Sequence, residues 1–168
     1  MRAPRRLGPR WGWGVVASAA LLLVTACNSG LGGVSIEEYD LSSADRAACE
    51  DLVADLPTTL AGEEQVDVGA GALGAAWGDP PYVLTCGVPE PPDYEPTAEC
   101  SAIKGVGWWL PDDEFSDLSE DAHAVALSLT PYVEVLVPAD YRTDGIDRAL
   151  AELAPAMKEH LAEGRSCP

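Results

Sequence analysis

Basic residues are scarce in this chain: ten lysines and arginines stand against 28 aspartates and glutamates in 168 residues, a formal charge of −18. Such a surface repels phosphate backbones and anionic headgroups, which excludes nucleic acid as a partner. Histidine is scarcer still, with only His123 and His160. There is no G-x-S-x-G elbow, no H-E-x-x-H pair, no phosphate-binding loop and no EF-hand spacing. Long apolar runs are also missing. The stretch Trp11 to Val24 has fourteen residues, short of the roughly 18 to 20 that a helix needs to span a bilayer.

What is present at the N-terminus has the order of an export signal. The first ten residues, MRAPRRLGPR, carry four arginines and no acid, and the apolar stretch that follows ends in Thr25-Ala26-Cys27. Val24-Thr25-Ala26-Cys27 resembles the lipobox of bacterial lipoproteins, in which the cysteine becomes the new N-terminus and takes a thioether to diacylglycerol. Arg5-Arg6 is followed by Leu-Gly-Pro, unlike a twin-arginine signal, so ordinary secretory export is expected. The expected organisation is a signal peptide over 1–26, a lipidated tether over 27–41 and a single domain over 42–168. Removal of residues 1–26 takes away four arginines and no acid, leaving six basic residues against 28 acidic ones and a charge of −22. The tether, Gly/Ser-rich and then acidic, has a reach on the order of 20 Å. It holds the body near the outer face of the cytoplasmic membrane, anchored through acyl chains on Cys27. An acidic coat keeps such a body soluble and monomeric.

Four cysteines remain beyond Cys27: Cys49, Cys86, Cys100 and Cys167. An even number outside the cytoplasm reads as a disulfide framework with three possible connectivities. Their gaps are too wide for a C-x-x-C zinc pair. Ser42-Ser43 followed by Asp45 forms a cap, and Ala44, Ala48, Leu52 and Leu56 recur at helical spacing until Pro57. A second helical stripe runs through Ile146, Leu150, Leu153, Met157 and Leu161, capped by Thr143 or Asp144, with Pro155 expected to kink or split it. Cys49 lies on the first helix and Cys167 just past the second. The expected pairing is Cys49 with Cys167, closing most of the domain, and Cys86 with Cys100, closing a short loop.

Between the helices the apolar period changes to two. "AHAVALSLTPYVEVLVP" reads as a hairpin, and "LGAAWGDPPYVLTCGV" and "CSAIKGVGWWL" as two more, with turns at Gly78-Asp79-Pro80-Pro81 and near Gly105. The expected fold is α+β: an antiparallel sheet of about four to six strands against an N-terminal and a C-terminal helix, stapled by disulfides.

The stretch "AAWGDPPYVLTCGVPEPP", Ala75 to Pro92, with "VEVLVP", Val133 to Pro138, and the spacing of the four cysteines, resembles an actinobacterial family of exported lipoproteins, domain of unknown function 3515. The resemblance covers most of the body. It implies an envelope lipoprotein and carries no catalytic or ligand residue onto this chain.

Candidate functional residues therefore come from the chain itself. Asp79, in a turn before proline, is explained by bonding to nearby backbone amides. The acidic run Asp112 to Asp121, "DDEFSDLSED", lacks the regular ligand spacing and central glycine of a calcium loop. Both histidines read as surface or boundary residues. Trp108 and Trp109, adjacent on a strand, point to opposite faces, so one can enter the core while its neighbour is either exposed as a docking point for a partner protein or a sugar ring, or shielded too by the acidic loop that follows. Nothing is assigned to catalysis, a cofactor or a metal. The preferred reading is a non-catalytic envelope module that binds a protein or wall polymer. The competing ones are a wall-acting hydrolase or transferase with Asp79 or another carboxylate beside His123, and a cation or small-ligand binder using the acidic run.

Overall fold

The computed structural model describes residues 33–166; Cys27 and Cys167 lie outside them. Helix α1, Ser43–Ala54, starts where the Ser42 hydroxyl accepts the Asp45 amide, the capping the sequence foretells. There follow β1, Thr59–Leu60; β2, Glu63–Val66; β3, Gly74–Trp77; β4, Tyr82–Val88; β5, Ser101–Ile103; β6, Val106–Trp109; and the short helix α2, Asp112–Ser116. The chain continues through β7, Ala122–Ala126; β8, Leu129–Thr130; β9, Tyr132–Val137; α3, Ala139–Arg142; α4, Asp147–His160; and β10, Ala162–Glu163.

Eight strands form one sheet in the order β1-β2-β3-β4-β9-β7-β6-β5, every neighbour antiparallel. β8 and β10 pair separately. The α+β class stands, and the count exceeds the expected four to six because β1 and β2 are short and carry no apolar alternation (Glu63–Val66 reads EEQV). All three expected hairpins form: β3 with β4 around the Gly78 turn, β5 with β6 around Lys104-Gly105, and β7 with β9. Both faces of the central strands are covered. On one, Val133, Val135 and Val137 line up with Ala122, Ala124 and Ala126, and with Leu84 and Cys86, under Leu52 of α1 and Leu150, Leu153 and Met157 of α4. The alanines leave room for the helices to sit close. Trp77 is fully buried in this layer, and its indole N–H donates to the Pro57 carbonyl at 2.8 Å. On the opposite face Val88, Tyr94, Trp109, Val125 and Leu127 form a second cluster.

Helix α4 runs without a break through Pro155 and starts later than expected: Ile146 holds the cap position and no side chain caps it. Part of the stretch expected as a free tether is packed on the sheet. Val34 bridges to Val68, Ile36 is buried, and Leu41 sits over Gly87. Gly74 makes room for this segment, since a Cβ there would meet the Ile36 side chain at 2.9 Å and the Leu84 carbonyl at 2.0 Å.

The disulfide joins Cys49 of α1 to Cys86 of β4, with Cα atoms 5.7 Å apart. This replaces both expected pairings, Cys49 with Cys167 and Cys86 with Cys100. The physical reason is facing: Cys49 belongs to the α1 stripe that meets the sheet, and Cys86 points up from the central strand beneath it. Cys100 is disulfide-bonded as well.

Candidate functional site

The chain leaves β6 at Trp109 and reaches β7 by way of Pro111, α2 and an acidic turn. Three acids, Asp112, Asp113 and Glu114, occupy the first turn of α2. This run would be a loose solvated loop were it not pinned from beneath. Arg142, only 4% exposed at the end of α3, donates from one guanidinium nitrogen to the Glu120 carbonyl at 2.9 Å and from the other to the Glu114 carbonyl. The Glu114 carboxylate accepts the His123 amide at 2.6 Å and faces the His123 Nδ1 at 3.0 Å. Asp121 accepts the Ala139 amide at 2.8 Å. Asp117 accepts both the amide and the hydroxyl of Ser119, bonds that hold its carboxyl below the usual range.

These bonds decide between two uses of the acidic run. The carboxylates of Glu114, Asp117 and Asp121 are turned one by one to backbone amides, to the Ser119 hydroxyl and to His123, and no three acids of the run bring ligand atoms together as calcium requires. Among the described residues the one group with metal-ligand proximity lies elsewhere: Asp55, Glu159 and His160, with ligating atoms within 4.8 Å of one another. His160 is there bonded to Asp55 at 3.2 Å.

What the pinned loop presents is apolar. Phe115 is 67% exposed and Leu118 49%. Among the described residues they are the large hydrophobics left open to water. Lone exposed apolar residues are ordinary. Two within four positions, on a segment ordered by a buried arginine, form a presented surface.

Of the two readings of the tryptophans, docking point or both shielded, the structure shows the second. Trp108 is fully buried in the helix-side core and Trp109 only 7% exposed, its ring edge-on to Tyr94 at 5.7 Å. The two do point to opposite faces, but both are covered, so neither is an exposed docking indole. Each instead lines an acidic cleft beside α2. One cleft, about 120 Å³, has Trp108 with Glu99, Ser101, Leu110, Asp112 and Phe115; the other, about 460 Å³, has Trp109 with Asp93, Glu95, Asp112 and Asp113. Asp112 belongs to both.

Asp79 is exposed in the β3–β4 turn. His123 lies two strands from β4, because Leu136 of β9 pairs with His123 on one side and Val83 on the other; that spacing is about 10 Å. His123 has Glu114 as its partner. Near Asp79, Tyr82 stacks on Tyr141 with centroids 4.6 Å apart, and burial, with the Tyr141 ring next in weight, pushes the Tyr82 phenol up to about 12. It is no base at neutral pH.

Behind His123 stands Glu134 of β9. Burial raises its carboxyl above the ordinary 4.5; the charge of His123 opposes this, and those of Glu114 and Glu37 add to it. A raised acid contributes its stability fully below the unfolded value and loses it as pH rises through the folded one. Glu134→Gln is therefore expected to raise the melting temperature at pH 7 and to leave it unchanged at pH 3, read by calorimetry at both.

Sequence reasoning missed Phe115, Leu118 and Arg142. The first two left a signal, as the only large apolar residues in "DDEFSDLSED"; Arg142 left none, since its role depends on α3 folding back beneath the loop. Residues 13–166 match the model of a family described as a protein of unknown function, DUF3515. No curated protein and no solved structure matches the chain.

Proposed function

We propose that this chain, which belongs to the DUF3515 family, is a non-catalytic binding module held outside the cell by lipid on Cys27, docking an envelope partner through the α2 loop. The observation that carries the docking is the exposed Phe115 and Leu118 on a segment fixed by Arg142. Ordering a surface loop costs about 1 to 2 kcal/mol per residue in backbone entropy. A soluble protein gains nothing from doing so merely to wet a phenylalanine. A preordered apolar pair, by contrast, binds without that cost at the moment of association. Export is supported by the N-terminal signal and by the Cys49–Cys86 bond, which persists in oxidising compartments. Attachment through Cys27 is supported by the resemblance of Val24-Thr25-Ala26-Cys27 to a lipobox; among the described residues no helix is long and apolar enough to cross a membrane.

The test places a photo-crosslinking amino acid at position 115 or 118 in cells, with the exposed Glu64 on the distant β2 as control. The same adduct is expected from 115 and 118 and not from 64. It should disappear from 118 when Phe115→Ser is added, while that substitution shifts stability by no more than about 0.5 kcal/mol. Identical adducts at all three positions, or none at 115 and 118, would overturn the reading.

A further inference from the structure

We infer that Cys100 and Cys167 form the second disulfide of this protein, and that the bond fastens the cover of the sheet face that no helix protects. The inference goes beyond the docking reading and does not depend on it.

Elimination leaves two partners. Cys100 is disulfide-bonded, and of the five cysteines in the chain Cys49 and Cys86 are joined to each other, which leaves Cys27 and Cys167. Position separates these two. The Arg165 guanidinium lies 5.2 Å from the Tyr94 ring centre and 5.9 Å from that of Tyr132, and is ion-paired with Glu90. Tyr94 belongs to the second core cluster, and Tyr132 and Cys100 pack against it, so residue 165 is held on the same patch as Cys100. Cys167 is two residues further on, a reach of about 7 Å, and a disulfide spans about 5.5 to 6 Å more between Cα atoms. Cys27 approaches from the other end of the sheet. Gly33 and Val34 lie against Asp67 and Val68, in the connection between β2 and β3, whereas Cys100 directly precedes β5. Five inter-strand spacings separate β3 from β5, roughly 24 Å. The six residues from Cys27 to Gly33 reach about 20 Å at full extension, so this pairing would ask for a taut chain laid straight across the sheet.

What the bond does follows from what it joins. On the helix side α1 and α4 cover the sheet, and Cys49–Cys86 ties α1 to β4. On the other side none of the described members of the second cluster belongs to a helix. Its cover is residues 89–100, the connection from β4 to β5, which sets Tyr94 edge-on to Trp109. Backbone bonds printed by this segment are local, from the Tyr94 amide to the Pro91 carbonyl and from the Ala98 amide to the Glu95 carbonyl. A crosslink at its end, beside the Arg165 contacts, limits the conformations open to it. Each face of the sheet thus carries one staple. Formation takes two thiols to one S–S bond, with their two electrons and two protons passing to an oxidised disulfide donor of the exported space, which is reduced to a dithiol. The pairing leaves the Cys27 thiol for acylation.

The experiment alkylates the full chain, purified in detergent, without reducing it, cuts after glutamate at acidic pH and reads the fragments by mass spectrometry. Cutting after Glu99, Glu114 and Glu163 places Cys100 and Cys167 on separate short peptides, apart from Cys49 and Cys86. Residues 100–114 linked to residues 164–168 are expected, as a species lost on reduction. Cys100 or Cys167 recovered alkylated, Cys100 joined to Cys27, or a Cys100 crosslink between two copies overturns the inference. The same spectrum reads the acyl group on Cys27: its absence with the Cys100–Cys167 bond in place removes lipid anchoring and leaves this inference standing. Cys100→Ala, Cys167→Ala and the double substitution should lower the melting temperature by the same amount, on the order of 10 °C. Each should also speed exchange of the Tyr94 amide at least tenfold while the β4 and β9 amides keep their protection. A Tyr94 amide unchanged by these substitutions overturns the role given to the bond.

Discussion

Arg142→Met will destabilise the protein by about 2 to 4 kcal/mol, because two charge-assisted, part-buried bonds from the guanidinium to the Glu114 and Glu120 carbonyls are lost. Methionine keeps most of the volume of the side chain, so the loss reports on the bonds more than on a cavity. The carbonyls of Glu114 and Glu120 are left without donors, and the loop is expected to loosen before the body unfolds. Urea unfolding should show a lower midpoint, and the melting temperature should fall by about 10 °C. The effect has an offsetting part: the Nε of Arg142 is buried and without a partner among the described residues, a cost that the substitution relieves. A loss below about 0.5 kcal/mol would mean that the loop does not depend on this clamp.

Removing the Cys49–Cys86 bond is expected to cost more. The two cysteines are 37 residues apart in sequence, and a closed loop of that size is worth about 4 kcal/mol in the chain-entropy model, or on the order of 15 °C in melting temperature. The pattern across variants is more telling than the size. Cys49→Ala, Cys86→Ala and the double substitution should all lose nearly the same stability, since each removes the same bond. Were Cys49 joined to Cys167 and Cys86 to Cys100, the two single losses would be independent and would add. Non-additivity thus separates the observed pairing from the expected one without a structure.

The elements read most surely from sequence are those in which local chemistry and tertiary packing agree. The Ser42 cap, the three hairpins and the α4 stripe of Leu150, Leu153 and Met157 each carry a local signature that burial then reinforces. Pro155 disrupted the helix on paper and not in the fold. An interior proline costs about 3 kcal/mol, and here the burial of Leu153 and Met157 on either side of Pro155 outweighs it. The disulfide was illegible for a different reason. Loop size ranks connectivities by entropy, whereas the bond forms where side chains face each other, and that facing arises only when α1 lies across β4. The tether expected over 27–41 misled through composition: glycine, serine and acid suggested a free segment, yet Ile36 and Leu41 are apolar and find matching gaps over Gly74 and Gly87.

At the candidate site the sequence shows the alternation of Trp108 and Trp109 across a strand, but leaves open whether one indole is exposed or both are shielded. A strand with only one covered face offers its outward indole to water. Here both faces are covered, the second by Tyr94 and its neighbours, which no local pattern announces. The acidic run was noticed for its charge. Its two apolar residues matter more because Arg142, arriving from 22 to 28 residues further along, fixes them in place.

Amide hydrogen exchange on the free, full-length protein tests most directly whether the docking loop is preordered. If it is, the His123 amide held by Glu114 and the Ala139 amide held by Asp121 will exchange on the order of a hundredfold or more slowly than in an unfolded chain, and the Phe115 and Asp117 amides bonded within α2 will show measurable protection. Exchange of all four at unfolded-chain rates, with the β4 and β9 amides still protected, would contradict a preordered loop and remove the ground for a docking surface at Phe115 and Leu118.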